Sequence, residues 1–331
     1  MAWSESAPQG FESAKIKYEV LQVITTMEQA QKEGADPIHD TVLLDGVDKP
    51  IVNNVAVMRT IDVGDTVKGF AESDRIFERT YKTPRIYHAQ MEPKSVVCRP
   101  EIDGGITVWT STQSIHNTRI LLGQIYSIPL NKINVKKVML GGSFGSSIQM
   151  NSVTPIGVGL ALKSGHPVKI ATTREEDMHD HVRYPSEIKL KLGVKKDGTL
   201  IAGEMHANID IGGHNIQAFP FLGGFGGFWA SLYKLPNMKY VGRAIYTNKT
   251  PSCAMQGFGA PQVHFAVECL MDEIASEMGF DPIEFKLRQY VGLGGTFWGQ
   301  GPASKCIIRS DGVPELLKTG AELIGWDKRH K

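Results

Sequence analysis

Two stretches of this sequence decide its fold: Gly141-Gly142-Ser143-Phe144-Gly145-Ser146-Ser147 and Gln256-Gly257-Phe258-Gly259-Ala260-Pro261-Gln262. Each follows a β-rich stretch and precedes a helical pattern, which predicts a strand, a glycine loop and a helix in that order. A glycine loop can approach a ligand closely because it has no Cβ, and the next helix N-terminus adds unpaired N–H donors. One such stretch alone is typical of a tight turn. The pair predicts an anion-binding geometry.

The composition is that of a globular protein without a strong overall charge. The chain has 331 residues, of which 41% are hydrophobic, enough for a substantial core. Lys and Arg number 36 against 35 Asp and Glu, so no nucleic-acid partner is expected. The uncharged stretch Ile211–Tyr233 is about as long as a membrane span. Its Pro220 and six glycines favour a buried segment instead, and no membrane partner is expected.

The cysteines do not form a metal-binding pattern. Cys98, Cys253, Cys269 and Cys306 are scattered without a Cys-x-x-Cys pair, so a self-contained zinc or iron–sulfur site is not expected. The first ten residues lack the basic and apolar regions of a signal peptide. We therefore expect reduced thiols and a cytoplasmic location.

The pattern along the chain predicts an α+β fold in two parts. Residues 6–31 have the pattern helix, strand, helix, with the strand at Ile16–Val20, and such a piece is too small to fold alone. Residues 1–40 are therefore interpreted as the C-terminal part of a small α/β domain. A polar stretch rich in Gly and Pro predicts a connector over residues 41–56, before a larger domain over residues 57–331.

Turn and helix signals organise the larger domain. Asp103-Gly104-Gly105 and Lys196-Asp197-Gly198 each separate two strand-like stretches and predict β-hairpins. Helices are predicted over Asn117–Tyr126, Thr154–Lys163 and Val263–Met278, and the last two end at a glycine.

The polar stretch Ser111-Thr112-Gln113 lies between the first hairpin and the first of these helices. Thr is a good N-cap residue, so the stretch can be ordinary helix capping. A carboxamide at a strand exit can instead donate to a bound oxo or phosphate group. The residues alone leave both interpretations open.

Eight short segments in a fixed order carry a more specific signal. Together they closely resemble the molybdopterin-binding subunits of the xanthine dehydrogenase and aldehyde oxidoreductase family, from about residue 6 to residue 329. Any one segment would be weak evidence, whereas the ordered set is strong. The segments are Ser111-Thr112-Gln113, Gly141-Gly142-Ser143-Phe144-Gly145, Gly165-His166-Pro167-Val168, Thr173-Arg174-Glu175-Glu176, Lys196-Asp197-Gly198, Tyr233-Lys234-Leu235-Pro236-Asn237, Gln256-Gly257-Phe258-Gly259-Ala260-Pro261-Gln262 and Glu268-Cys269-Leu270-Met271-Asp272.

The resemblance implies a fold and a set of cofactors. Residues 1–40 would be the end of a small α/β hammerhead-type domain, and residues 57–331 the first half of a large mixed sheet-and-helix molybdopterin-binding domain, ending in the connector to an absent second half. The cofactor would be molybdenum–molybdopterin, in its plain form or as the cytosine dinucleotide. Its pterin dithiolene would hold the metal, so no metal-ligating side chain is expected. Fe–S clusters and FAD would lie on partner chains.

The resemblance also implies roles for individual residues. Gln113 matches the glutamine that hydrogen-bonds an oxygen ligand of molybdenum, and Phe144 and Gly145 match the aromatic ring and backbone amide beside the metal and substrate. Phe258 matches a second ring against a planar substrate, and Ile148 and Gly224 would complete the substrate pocket. The cofactor-binding residues would be Gly142, Ser143, Phe144, Gly145, Ala254, Met255, Gln256 and Gly257.

Several positions depart from the family pattern. Gln256 replaces an arginine, so a permanent charge beside the cofactor is missing. Ile148 and Gly224 replace the acidic residue and the arginine of purine oxidisers, which predicts an apolar pocket for an aldehyde or a neutral N-heterocycle. Gly299-Gln300-Gly301 falls in the connector and is not expected to contact the cofactor.

The general base is also missing from the pattern, because the glutamate that provides it belongs to the absent second half. Glu92 and Glu268 are both expected to be structural acids.

Three functional hypotheses follow from this pattern. In the first, the chain is one of two polypeptides that share a molybdenum site; its partner supplies the general-base Glu, and an Fe–S subunit and an FAD subunit carry electrons away. Such an enzyme would hydroxylate its substrate with oxygen derived from water. The alternative is a subunit of a purine or nicotinate hydroxylase. From another class comes a non-catalytic truncated remnant or a cofactor-holding subunit.

Overall fold

A computed structural model of the chain describes residues 15–44, 47–297 and 306–329. Its helices are α1 (Met27–Ala30), α2 (Thr66–Ala71), α3 (Ile115–Tyr126), α4 (Val153–Ser164), α5 (Arg174–Met178), α6 (Ala218–Leu232), α7 (Ala260–Met278), α8 (Pro282–Gln289) and α9 (Val313–Leu323). Its strands are β1 (Thr41–Leu44), β2 (Val47–Pro50), β3 (Val55–Val63), β4 (Arg75–Thr83), β5 (Ile86–Tyr87), β6 (Ser95–Pro100), β7 (Ile106–Thr110), β8 (Ile133–Lys137), β9 (Val168–Ala171), β10 (Val182–Arg183), β11 (Ser186–Val194), β12 (Leu200–Gly212), β13 (Asn237–Tyr246), β14 (Ser252–Cys253), β15 (Thr296–Phe297) and β16 (Cys306–Ile307).

The larger core is built on a five-stranded sheet in the order β3-β13-β12-β11-β4. Strands β12 and β13 are parallel, and the other neighbours are antiparallel. Ile188, Leu190 and Leu192 alternate along β11 and are buried, because alternate side chains of a strand point to the same face. Helices α6 and α7 contribute to the same hydrophobic cluster.

A second core belongs to a four-stranded sheet in the order β8-β7-β6-β9. Strands β6 and β7 form an antiparallel hairpin, and β8 runs parallel to β7. Helices α3 and α4 pack on this sheet, with Leu122 and Val158 among its buried residues. A third sheet has three strands in the order β14-β10-β5. The first glycine loop leads from β8 into α4 and the second from β14 into α7, so the two loops belong to different sheets.

The structure confirms the predicted α+β class, both hairpins and all three predicted helices. Helix α7 buries Val267, Leu270 and Ile274 on one face and ends at Gly279, whose φ of +76° is the left-handed conformation that favours glycine at a helix end. The stretch Ile211–Tyr233 contains α6, a largely buried helix. Within the described residues, no helix is long and apolar enough to cross a membrane.

Two expectations near the start of the chain need correction. The strand predicted at Ile16–Val20 is wrong, because these residues pair with no strand in the described part of the chain and their apolar side chains are exposed. The predicted connector contains the β1–β2 hairpin, which the sequence pattern did not predict. The helix predicted before residue 15 lies outside the described residues, and the domain division at residues 40 and 56 stays a prediction.

Gly226 tests how tightly α6 packs on the main sheet. A Cβ there would lie 2.6 Å from the ring of the buried Tyr240. Overpacking of this kind costs about 1–3 kcal/mol, which exceeds the roughly 1 kcal/mol that Ala gains over Gly in a helix. Gly226→Ala should therefore lower the free energy of unfolding in urea. The matched control is Gly320→Ala in α9, where a Cβ meets nothing within 4 Å, and stability should rise slightly. Equal effects of the two substitutions would contradict this packing.

Candidate functional site

The first glycine loop holds an aromatic side chain at the surface in an unusual backbone conformation. Phe144 has a φ of +55°, and Gly142 and Gly145 have φ values of +99° and +115°. Positive φ is uncommon for a bulky residue and is often found at functional sites. The side chain of Phe144 is 46% exposed, although Ser143 beside it is buried. The loop therefore exposes the Phe144 ring to solvent, while Ser143 beside it is buried.

The second glycine loop repeats this conformation. Gly257, Phe258 and Gly259 have φ values of +92°, +45° and +102°. Unlike Phe144, Phe258 is partly buried, and its ring contacts the ring of Phe221 edge to face with centroids 5.3 Å apart. The two phenylalanines therefore share a backbone conformation but differ in exposure.

The two loops contact each other through their backbones. The N–H of Gln256 donates to the carbonyl of Phe144 at 2.9 Å. A Cβ on Gly145 would lie 2.5 Å from the carbonyl oxygen of Ala254, so only glycine allows this approach. The structure thus brings together the predicted cofactor-binding residues of both loops.

Gln113 lies at the edge of the first loop and is fixed to it twice. Its backbone N–H donates to the carbonyl of Ser147 at 2.9 Å, and its side-chain Oε1 accepts from Ser143 Oγ at 2.6 Å. Thr112 Oγ1 accepts from the N–H of Ser114, and Ser114, the N-cap of α3, makes no side-chain capping hydrogen bond. Neither Thr112 nor Gln113 therefore caps α3, and the Gln113 side chain is exposed beside the loop.

The predicted pocket residues divide between the loops. Ile148 donates its N–H to the carbonyl of Gly145 at 3.1 Å and so belongs to the first loop. Gly224 lies in α6, where a Cβ would be 3.8 Å from the ring of Phe258. Its φ is not in the left-handed region, so a side chain can be accommodated without backbone strain. Phe258 and Gly224 form one group and Ile148 another.

A buried cluster of charges lies behind the loops. Lys94 is 2% exposed, and its Nζ lies 3.1 Å from Asp180 Oδ2 and 3.3 Å from Asp177 Oδ1. Asp177 also accepts from Gln90 Nε2 at 2.6 Å and from Tyr87. No sequence pattern predicted this cluster, because Lys94 is 83 residues away from Asp177 in the sequence.

Three side chains link this region to the glycine loops. His181 Nδ1 is 3.1 Å from the carbonyl of Ser146, and His88 Nε2 is 2.7 Å from the carbonyl of Ala254. Glu92 accepts from the hydroxyl of Ser111 at 2.5 Å and from the N–H of Gly141. The segment from residue 88 to residue 94 therefore supports both loops.

The pKa values agree with neutral histidines at these contacts. Burial lowers the pKa of His181, although the Asp180 carboxylate acts in the opposite direction. Burial also lowers the pKa of His88. Burial alone would raise the pKa of Asp180, but His181, when protonated, and Lys94 hold it below its ordinary value. The two groups near His181 Nδ1, the carbonyl of Ser146 and the carboxylate of Asp180, are both acceptors, so this nitrogen carries the proton of the neutral ring.

The acids that were expected to be structural have structural partners. Glu92 is occupied by its two donors, and Glu268 accepts from Tyr233 at 2.8 Å and pairs with Lys286 at 2.9 Å. In the part of the chain that the structure describes, no group of three His, Cys, Asp or Glu side chains could hold a metal ion. Gly299-Gln300-Gly301 lies outside the described residues.

A family model described as the molybdopterin cofactor-binding domain matches residues 48–290. This chain belongs to that family. It is 32% identical over 326 residues to the xanthine dehydrogenase molybdenum-binding subunit of Escherichia coli, covering 98% of this chain and 41% of that protein. It is 28% identical over 325 residues to the nicotinate dehydrogenase large molybdopterin subunit of Eubacterium barkeri, covering 97% of this chain and 73% of that protein.

Solved structures of the family agree with the fold. The aldehyde oxidoreductase from Desulfovibrio gigas matches with a TM-score of 0.86 and 26% identity, covering 99% of this chain and 35% of that one. The resemblance inferred from the eight segments is therefore confirmed. The chain spans about two fifths of the length of its xanthine dehydrogenase relatives.

Lys94 provides a test of the charge cluster in this molybdopterin domain. Lys94→Met keeps much of the side-chain volume but removes the buried cation between Asp177 and Asp180, so that Asp177 keeps only its 3.5 Å pair with the partly exposed Arg174. The loss should cost roughly 3–5 kcal/mol. The measurement is the free energy of unfolding in urea. Lys68→Met is the control, because Lys68 is mostly exposed and its ion pair is long. A loss no larger than that of the control would mean that the cluster does not stabilise the fold.

Proposed function

We propose that this chain forms one face of a molybdenum–molybdopterin site in an oxidoreductase that hydroxylates an aldehyde or a neutral N-heterocycle with oxygen from water. The observation that carries the proposal is the backbone contact between the two glycine loops, with the Gln113 carboxamide fixed at their edge. Membership of the molybdopterin cofactor-binding domain family supports it.

The residues at the loop contact fit such a cofactor. Backbone amides and a carboxamide complement the ring nitrogens, carbonyl and amino group of a pterin, and glycines at positive φ leave these amides uncovered. We propose that Gly142, Ser143, Phe144 and Gly145 hold it from one loop and the 254–257 backbone from the other. The cytosine dinucleotide form remains part of this proposal.

The side chains suggest how a substrate would be held. When bound, the cofactor supplies the oxidation and the oxygen transfer. The exposed ring of Phe144 can pack on a planar substrate, and Phe258 can bound the pocket from its other side. A fixed amide at Gly145 and the Nε2 of Gln113 can stabilise negative charge that develops on oxygen during the reaction.

Other parts of the enzyme are proposed to come from outside the 331 residues. Glu92 is occupied by two donors, so we propose that the general-base Glu belongs to protein beyond this chain. A relative named as a large molybdopterin subunit supports an enzyme of several subunits. We further propose Fe–S and FAD subunits as electron acceptors and a cytoplasmic location.

A purine or nicotinate hydroxylase is the second candidate, because relatives named as xanthine dehydrogenase and nicotinate dehydrogenase subunits match this chain. Ile148 and Gly224 argue against a purine, since neither provides a charge or a hydrogen-bonding side chain to a polar substrate. A non-catalytic remnant would differ from both candidates, because it should hold no stoichiometric molybdenum.

Gln113→Ala tests the proposed function in the chain purified together with its associated polypeptides. The unmodified complex should contain molybdenum and turn over aldehydes. Removing one donor from the reacting centre should lower kcat by about 100- to 1,000-fold, whereas stability should change by less than about 1 kcal/mol, because the side chain is exposed. The control is Gln124→Ala, an exposed glutamine on α3. Absence of molybdenum from the complex would sink the proposal, and unchanged kcat would remove Gln113 from the site.

Substrate preference follows from the apolar pocket. A pocket without charged anchors discriminates by only about 1–3 kcal/mol per methylene-sized change, so activity should be graded across aldehydes and neutral heterocycles. The ratio of kcat/KM for xanthine to that for benzaldehyde should be below one. Ile148→Glu together with Gly224→Arg should raise this ratio, because a Cβ at Gly224 meets no atom closer than 3.6 Å. A ratio well above one in the unmodified complex would favour the purine hydroxylase.

A further inference from the structure

We propose that Ser143 is a positioning residue, which orients the Gln113 carboxamide so that its Nε2 is the end available to a ligand. The role of Gln113 toward a ligand rests on the proposed function. The hydrogen bonds that carry the inference are features of this chain alone.

The hydroxyl of Ser143 distinguishes the two ends of the carboxamide. The backbone N–H of Ser147 donates to Ser143 Oγ at 3.0 Å, which uses one lone pair of that oxygen. The single Ser143 proton is then donated to Gln113 Oε1 at 2.6 Å, a shorter contact than the 3.4 Å to Ser146 Oγ. In the flipped orientation, Gln113 Nε2 would donate to the remaining lone pair of Ser143 Oγ, and the Ser143 proton would be left with only Ser146 Oγ as acceptor, 3.4 Å away. The orientation with Oε1 toward Ser143 keeps the 2.6 Å hydrogen bond and is therefore the favoured one.

This hydrogen bond orders a side chain that would otherwise be mobile in solvent. Gln113 is exposed, and ordering a free Gln side chain costs conformational entropy. Ser143 is 6% exposed and lies on the first glycine loop. The same loop binds the backbone N–H of Gln113 through the carbonyl of Ser147, so the backbone and the side chain of Gln113 are both held by this loop. Nε2 has no hydrogen-bond partner among the described residues. Its two N–H groups are thus aligned in advance for an oxygen-bearing group of a ligand.

A double-mutant cycle in the assembled enzyme tests whether Ser143 acts through Gln113. Ser143→Ala should lower kcat by about 10-fold, the usual effect of losing one hydrogen bond, with little change in KM. In the Gln113→Ala background the same substitution should have no further effect. Ser186→Ala is the matched control, because it removes a buried hydroxyl and its 2.7 Å hydrogen bond to Thr83, outside the glycine loops. Its kcat should stay within about twofold of the unmodified enzyme.

Crystal structures of the same variants provide a readout independent of activity. The Gln113 side chain should be ordered in a single rotamer in the unmodified protein and in Ser186→Ala, and should lose that order in Ser143→Ala. If Ser143→Ala does not fold, Ser143→Cys, which has a weaker donor, replaces it. Equal losses of kcat in both backgrounds, or an unchanged Gln113 orientation without the hydroxyl, would overturn the inference. A complex that holds no molybdenum would contradict the proposed function instead, and the crystal structures would still decide the role of Ser143.

Discussion

The buried ion cluster of Lys94 with Asp177 and Asp180 is the interaction on which the arrangement of the site depends. Removing these charges from water is costly, so the cluster is stable only while each carboxylate keeps its cation and its hydrogen bonds. Asp177 accepts from Gln90 and Tyr87, Asp180 Oδ1 accepts from the N–H of Ser152, and Asp180 Oδ2 is held by its ion pair with Lys94 at 3.1 Å. A cluster satisfied in this way favours one arrangement of the surrounding backbone.

The loops that the cluster supports need such support. Phe144 and Phe258 both have positive φ, a conformation that costs of order 1–3 kcal/mol and persists only where the surroundings determine it. His181 binds the carbonyl of the first loop and His88 that of the second, so both loops are held from the same side. These hydrogen bonds stabilise the backbone of both loops, although the ring of Phe144 is 46% exposed.

Local patterns were sufficient to predict some parts of this protein and not others. Helix α7 and both glycine loops were predictable, because helical periodicity and glycine conformation are properties of neighbouring residues. The charge cluster was not, because Lys94 and Asp177 are 83 residues apart and meet only in the folded chain. The Ser143 hydrogen bond depends on a side-chain rotamer, which no pattern specifies. The strand predicted at Ile16–Val20 has the right alternation but lacks a neighbouring strand in the described structure.

The two glycine loops and Gln113 are proposed to form one face of a molybdenum site. A crystal structure of the assembled enzyme, with data collected on both sides of the molybdenum absorption edge, tests it most directly. One anomalous peak is expected beside the loop contact, with Gln113 Nε2 within hydrogen-bonding distance, about 3 Å, of a group on the metal and the Phe144 ring against the substrate pocket. A molybdenum peak elsewhere, with these residues facing only solvent or protein, would show that the loops do not form the site.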